Sequence, residues 1–121
     1  MFKIVFYKDR NGNQPVKEYL YKLKCMNSKD SKIKLNKIQD SLEIISECGT
    51  MAGMPFVKHI DGEIWELRPL RDRIFFFCYH GDTLVLLHYF LKDTQRTPTR
   101  EIEKAKRNLK DFNERIDNNE K

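Results

Sequence analysis

The residues of this chain best suited to chemistry are one acid and three bases set into an apolar stretch. From Ile64 to Leu91 the sequence is dominated by Phe, Leu, Ile, Val and Tyr, yet Glu66, Arg68 and Arg73 interrupt it and Lys92 follows directly. Burying an unpaired arginine is costly, so arginines placed among strand-forming residues point to an anionic ligand. A guanidinium is a rigid fork of donors, charged at every relevant pH, that matches two phosphate oxygens at once. Two of them converging on one point suit a phosphodiester that gains negative charge in a pentavalent transition state. Glu66 would then act as a general base or orient Arg68; a surface ion-pair network is the plainer alternative for the trio. His88 lies in an apolar strand, either as a proton acceptor or as a core histidine with its hydrogen bonds met.

Around this group stand residues suited to holding a polyanion. Lys92, Gln95 and Arg96 occupy the loop after the last strand, the kind of segment that carries function on a rigid scaffold. Tyr79 offers a flat ring for base stacking, although core packing is the commoner fate of a strand aromatic. Lys22, Lys29, Lys32 and Lys37 early in the chain, and Lys104 and Arg107 late in it, would meet a phosphate backbone. Solvated helix faces would carry the same residues.

Charge is segregated along the sequence in a way that favours a polyanion. The net charge is +5. From Lys17 to Lys37 there are seven lysines against two acids, from Lys92 to Lys110 seven bases against three, and the last eleven residues turn acidic. No paired-cysteine or His-x-x-x-His spacing suggests zinc, and no compact set of carboxylates suggests another metal, so chemistry without metal or cofactor is expected. The three cysteines are widely separated and odd in number, which fits buried free thiols in a reducing compartment. No apolar run is long enough to span a bilayer and no signal pattern opens the chain, so a cytoplasmic protein with no membrane contact is expected.

The elements that must position these side chains follow from periodicity. Phe2 to Tyr7 reads as a strand and Asn11-Gly12 as a turn. A short helix opens at Pro15, with Val16, Tyr19, Leu20 and Leu23 on one side. A second starts at Ser28, buries Leu35, Ile38, Leu42 and Ile45, and ends at Gly49. Strands are expected at about 57–60, 63–68, 73–80 and 83–91. Thr97 then caps a helix with Pro98 in its first position, and Ile102, Ala105, Leu109, Phe112 and Ile116 form its apolar face. The fold class is α+β, a small, mostly antiparallel sheet packed against two N-terminal helices, with a C-terminal helix. The chain reads as one domain over 1–121, with 113–121 expected to fray. Strand alternation puts Glu66 and Arg68 on one face, Arg73, Phe75, Phe77 and Tyr79 together, and Leu84, Leu86, His88 and Phe90 together.

Three segments resemble a known family. Trp65-Glu66-Leu67-Arg68, Arg73-Ile74, and the run from Leu86 to Asn108 are similar to the phage-derived, HigB-type branch of the RelE superfamily of toxins. That branch shows a Glu-Leu-Arg strand, an Arg-hydrophobic strand, and Leu-Leu-x-x-Phe-x-Lys-Lys-x-x-x-x-Pro before a helix with Glu-Ile-x-x-Ala. The specific motifs cover about the last half of the chain; the opening agrees in layout alone. The resemblance implies a RelE-like fold and a type II toxin–antitoxin toxin that cleaves mRNA on the ribosome without metal. It also implies neutralisation by a HigA-like helix-turn-helix antitoxin, a heterotetramer of two toxins with two antitoxins, and contact with operator DNA through that complex alone. Arg68, Arg73 and Lys92 match the basic motif positions and Glu66 the acidic one. Where the family pattern has a second lysine this chain has Asp93. A non-catalytic basic module that binds RNA or DNA is the main alternative, and an ion-pairing interaction protein a third.

Overall fold

Among the described residues five strands make one sheet in the order β1-β5-β4-β3-β2. They are β1 (Lys3–Phe6), β2 (Val57–Asp61), β3 (Ile64–Leu67), β4 (Asp72–Tyr79) and β5 (Thr83–Leu91). The computed structural model describes residues 1–93 and 95–119. Strands β2 to β5 are joined by short turns and pair antiparallel, whereas β1 lies parallel to β5, Lys3 opposite Thr83. A parallel pair needs a long connection. Here the helices and the three intervening strands supply it.

Helices α1 (Pro15–Cys25), α2 (Lys29–Cys48) and α3 (Thr99–Asn119) cover the sheet. Ser28 caps α2, its hydroxyl accepting from the Ser31 amide at 3.2 Å. Gly49 ends that helix at φ 58°, where a Cβ would come within 2.7 Å of the Phe2 ring. Val16, Leu23, Ile38 and Ile45 of α1 and α2 pack against Leu67, Ile74, Phe76, Leu84 and Leu86. On the opposite face Ile102, Ala105, Leu109 and Phe112 of α3 pack against Phe75, Phe77, Val85 and Leu87. The sheet is therefore sandwiched, which is why β4 reads as an unbroken apolar run, Ile-Phe-Phe-Phe, instead of alternating. The described chain is α+β with a mixed five-stranded sheet.

Several details depart from the reading by periodicity. Strand β5 carries a bulge: Phe75 faces His88 and Phe76 faces Leu86, so Leu87 is the extra residue. An inserted residue reverses the alternation beyond it. Phe90 consequently packs with Val85 and Leu87 beneath α3, and His88 pairs with Glu101 of that helix, while Leu84 and Leu86 face α1 and α2. Pro98 precedes α3 instead of opening it, its carbonyl accepting from the amides of Glu101 and Ile102. Helix α3 runs to Asn119, through most of the segment expected to fray; residues 120 and 121 lie outside the described residues. Cys25 and Cys48, expected to be buried, are exposed because each ends a helix; Cys78 is half-buried, and all three are free thiols. Among the described residues no helix is long and apolar enough to cross a membrane.

Candidate active site

Glu66 lies at the centre of the site, in the middle of a strand covered on both faces, and is fully buried. A buried carboxylate must be paired. Its Oε1 stands 3.6 Å from Arg68 Nε and 3.8 Å from Arg73 Nε, and its Oε2 accepts a hydrogen bond from Thr97 Oγ1 at 3.2 Å. Thr97, expected to cap the last helix, is thus turned toward the carboxylate. The arginine distances exceed hydrogen-bonding range. Among the described residues neither Nε atom nor Glu66 Oε1 has a hydrogen-bond partner, so charge attraction alone joins them.

Arg73 is anchored by the turn between β3 and β4, and Arg68 by the loop that precedes β2. Arg73 Nη1 donates to the carbonyls of Leu70 and Asp72, both at 2.8 Å. The Arg68 amide donates to the Phe56 carbonyl at 3.0 Å, and its Nη1 approaches Met54 Sδ at 3.4 Å. Burial pulls the Arg73 guanidinium below the usual arginine value, Glu66 opposing and Arg68 adding to the effect. Arginine starts so high that it stays charged. Lys92 follows β5, its amide held by the Arg71 carbonyl at 2.8 Å. Burial pulls its ammonium down, Glu66 opposes, and the charges of Arg73, Arg68 and Lys58 pull it further.

These side chains open onto one groove. A cavity of about 510 Å³ is lined by Arg68, Arg71, Arg73, Lys92, Asp93 and Gln95, four cations to one carboxylate. Such a lining attracts anions, and the planar forks of its three arginines suit phosphate. Glu66 does not line the groove. It stands behind as the counter-ion that orients two of those arginines.

The other residues marked out by the sequence do not line this groove. His88 Nε2 is 2.8 Å from Glu101 Oε1; a carboxylate only accepts, so Nε2 carries the proton in the neutral ring. Burial lowers the His88 pKa below the usual histidine value, the bond to Glu101 opposes this, and Lys104 and Arg107 lower it further. His88, Lys104 and Arg107 line a separate cavity of about 580 Å³ beside Tyr7, Arg10 and Asp111. Tyr79 ends β4 six residues from Arg73, about 20 Å along an extended strand, and its ring stacks on His80 and meets Phe112 edge-on. Arg96 is exposed in the loop beside Gln95. Lys22 lines a cavity with Tyr19 and Lys34 between α1 and α2, and Lys29, Lys32 and Lys37 are exposed along α2.

Three contributors were not foreseen. Arg71 lines the groove; Asp72, almost fully buried, accepts from the Tyr19 hydroxyl at 2.6 Å; and Tyr19 stacks on Tyr89 with ring centres 4.1 Å apart. The signal available for Arg71 was density: Arg68-Pro69-Leu70-Arg71-Asp72-Arg73 holds three arginines in six positions. Among the described residues no three His, Cys, Asp or Glu side chains gather as a metal site would require.

The family model described as phage derived protein Gp49-like (DUF891) matches residues 23–110, a span that takes in every residue of the groove. The chain belongs to this Gp49-like family. The Gp49-like proteins are toxin-like and of the RelE type, and the family is associated with RelE-like toxin nucleases. A comparison with curated proteins finds no match.

Proposed function

We propose that this Gp49-like protein is a HigB-like toxin of a type II toxin–antitoxin module and an endoribonuclease that cuts mRNA on the ribosome. The observation that supports this most is the groove itself: Arg68, Arg71, Arg73 and Lys92 around one cavity, with two of the arginines oriented by a buried carboxylate. Four cations held in place by the fold stabilise charge that develops on a phosphodiester without reorganising during reaction.

In the proposed step the substrate's 2′-oxygen attacks the adjacent phosphorus while Arg68 and Arg73 hold the non-bridging oxygens. An O2′–P bond forms and the P–O5′ bond breaks. The 2′-proton passes to Asp93, the carboxylate that lines the groove, since Glu66 is committed to the arginines behind it. Lys92, its pKa lowered, gives a proton to the departing 5′-oxygen. The products are a 2′,3′-cyclic phosphate and a 5′-hydroxyl, with two protons moved and no cofactor consumed. His88 takes no part in this scheme, because it lines the other cavity. The partners on this reading are the ribosome and mRNA in the cytoplasm, and a HigA-like antitoxin in a complex of two toxins and two antitoxins.

Expression of wild type and of Arg73→Ala in a bacterium tests the reading. Wild type stops growth and leaves mRNA fragments with 5′-hydroxyl ends; Arg73→Ala does so far less. If Arg73→Ala, Arg68→Ala and Lys92→Ala are all as toxic as wild type, the site is misplaced. Growth and mRNA untouched by wild type would favour a non-catalytic nucleic-acid-binding module.

A further inference from the structure

Beyond Arg71 the phosphate groove continues into a second, less polar cavity. It has a volume of about 300 Å³ and is lined by Asp30, Ile33, Lys34, Leu70, Arg71 and Leu91. Arg71 lines both cavities. Three large aliphatic side chains from three elements stand open here: Ile33 of α2 is 44% exposed, Leu70 of the β3–β4 turn 53%, and Leu91 at the end of β5 51%. A water-facing apolar cluster rimmed by charge marks a binding surface.

The backbone at this place is also unusual. Leu70 takes φ 53°, the left-handed region that a leucine enters only at a cost. Arg73, the same arginine that opens onto the phosphate groove, holds the Leu70 carbonyl at 2.8 Å. One side chain therefore fixes both the groove and the turn that presents Leu70 to solvent.

We infer that this notch receives a nucleobase of the RNA strand whose phosphodiester lies in the arginine groove, and that Asp30 selects which base. The inference rests on the nuclease reading above and adds to it a subsite and a preference. Unstacked bases are held by apolar side chains against their faces and by polar groups at their edges. Ile33, Leu70 and Leu91 supply the apolar contact, while Lys34 and Arg71 place positive charge where the backbone must pass. The Asp30 carboxylate oxygens accept hydrogen bonds. The carboxylate favours cytosine, whose 4-amino group donates, over uracil, whose 4-oxygen only accepts. A peptide would find the same apolar surface, but the cations at its rim and its continuity with the groove favour RNA.

Single-turnover cleavage of mRNA on programmed ribosomes, by the full chain, tests this. The nucleotide on each side of the scissile phosphate is made abasic in turn, in wild type and in Leu70→Ala/Leu91→Ala. The expected result is a loss of about tenfold for the double variant on intact RNA, the scale of one base contact. The same loss is expected for wild type when one of the two bases is missing, and no further loss when both changes combine. Asp30→Asn should bring uracil level with cytosine at that position. If wild type cleaves but is indifferent to both missing bases, or if the two losses add, the notch is not a base site although the nuclease reading stands. Unchanged cleavage with loss of antitoxin binding would assign the notch to a protein partner and overturn the inference. A wild-type protein that cuts nothing would instead remove the nuclease reading, and this inference with it.

Discussion

Glu66 and Asp111 are each set against two arginines, and the fold uses the two arrangements differently. Asp111 Oδ1 accepts from Arg10 Nε at 3.1 Å, and its Oδ2 accepts from Arg115 Nε at 3.1 Å and from the Tyr7 hydroxyl at 2.6 Å. Arg115 also donates to the Lys8 carbonyl. The Tyr7 hydroxyl holds the Asp111 carboxyl below the usual aspartate range, and burial, with Asp111, pushes the Tyr7 hydroxyl up. These bonds tie the last helix to the segment after β1. Glu66 is more deeply buried, so it should be the better satisfied of the two. Instead its arginines stand at 3.6 and 3.8 Å, beyond hydrogen-bond range, beside an open groove. Where guanidinium donors are spent on the protein's own carboxylate, the cluster is a clasp. Where the carboxylate draws them by charge alone, as Glu66 does, the arginines line an open groove.

The largest effect should come from breaking the second arrangement. Arg73→Lys keeps a cation beside Glu66 but loses the fork, and cleavage should slow by about 10²- to 10³-fold in single-turnover assays, the loss typical of a removed transition-state donor. Asp111→Ala should leave that rate unchanged and lower stability by about 1–2 kcal/mol in denaturant titrations, the partly exposed arginines contributing least. Retained activity in Arg73→Lys, or lost activity in a folded Asp111→Ala, would undo the contrast between clasp and site.

The sequence exposed one of these clusters better than the other. Glu66, Arg68 and Arg73 stood out because charge in an apolar strand is rare, and strand parity brought them together near one end of the sheet. Asp111, Tyr7 and Arg10 did not, since the Tyr7–Asp111 bond spans 104 positions and an aspartate on an amphipathic helix looks solvated. The helices and strands were legible from their periods to within a few residues. His88 was misplaced because a single bulge reverses parity beyond it, and no residue type at Leu87 announces one. Arg71 was passed over because a turn residue has no parity to place it.

Lys92 gives a smaller effect that separates electrostatics from shape. Its ammonium sits below the usual lysine value, and in the proposed step it must be charged to give up a proton. The rate should therefore fall as pH rises through a value below that of free lysine. Arginine titrates far higher. In Lys92→Arg the alkaline decline in kcat/KM should move upward, and the neutral-pH rate should fall because so weak an acid is a poor proton donor. An alkaline decline at the same pH in both proteins would give the proton to another group and leave Lys92 as a backbone contact.

The smallest expected effect lies in the cavity that His88 shares with Lys104 and Arg107, on stability alone. The folded chain holds His88 below its unfolded pKa, chiefly by burial. As pH falls below about 6.5, the usual value for free histidine, the unfolded chain takes up a proton that the folded chain resists. Stability is thus full above that pH and declines as pH drops through the folded pKa. His88→Asn removes this titration, so Tm measured from pH 7.5 to 5 should fall less steeply than in wild type, with cleavage at pH 7.5 unchanged. A parallel fall in both proteins would mean that His88 is not what the acid limb reports. Lost cleavage in a folded His88→Asn would return the histidine to the chemistry and put the division between the two cavities in question.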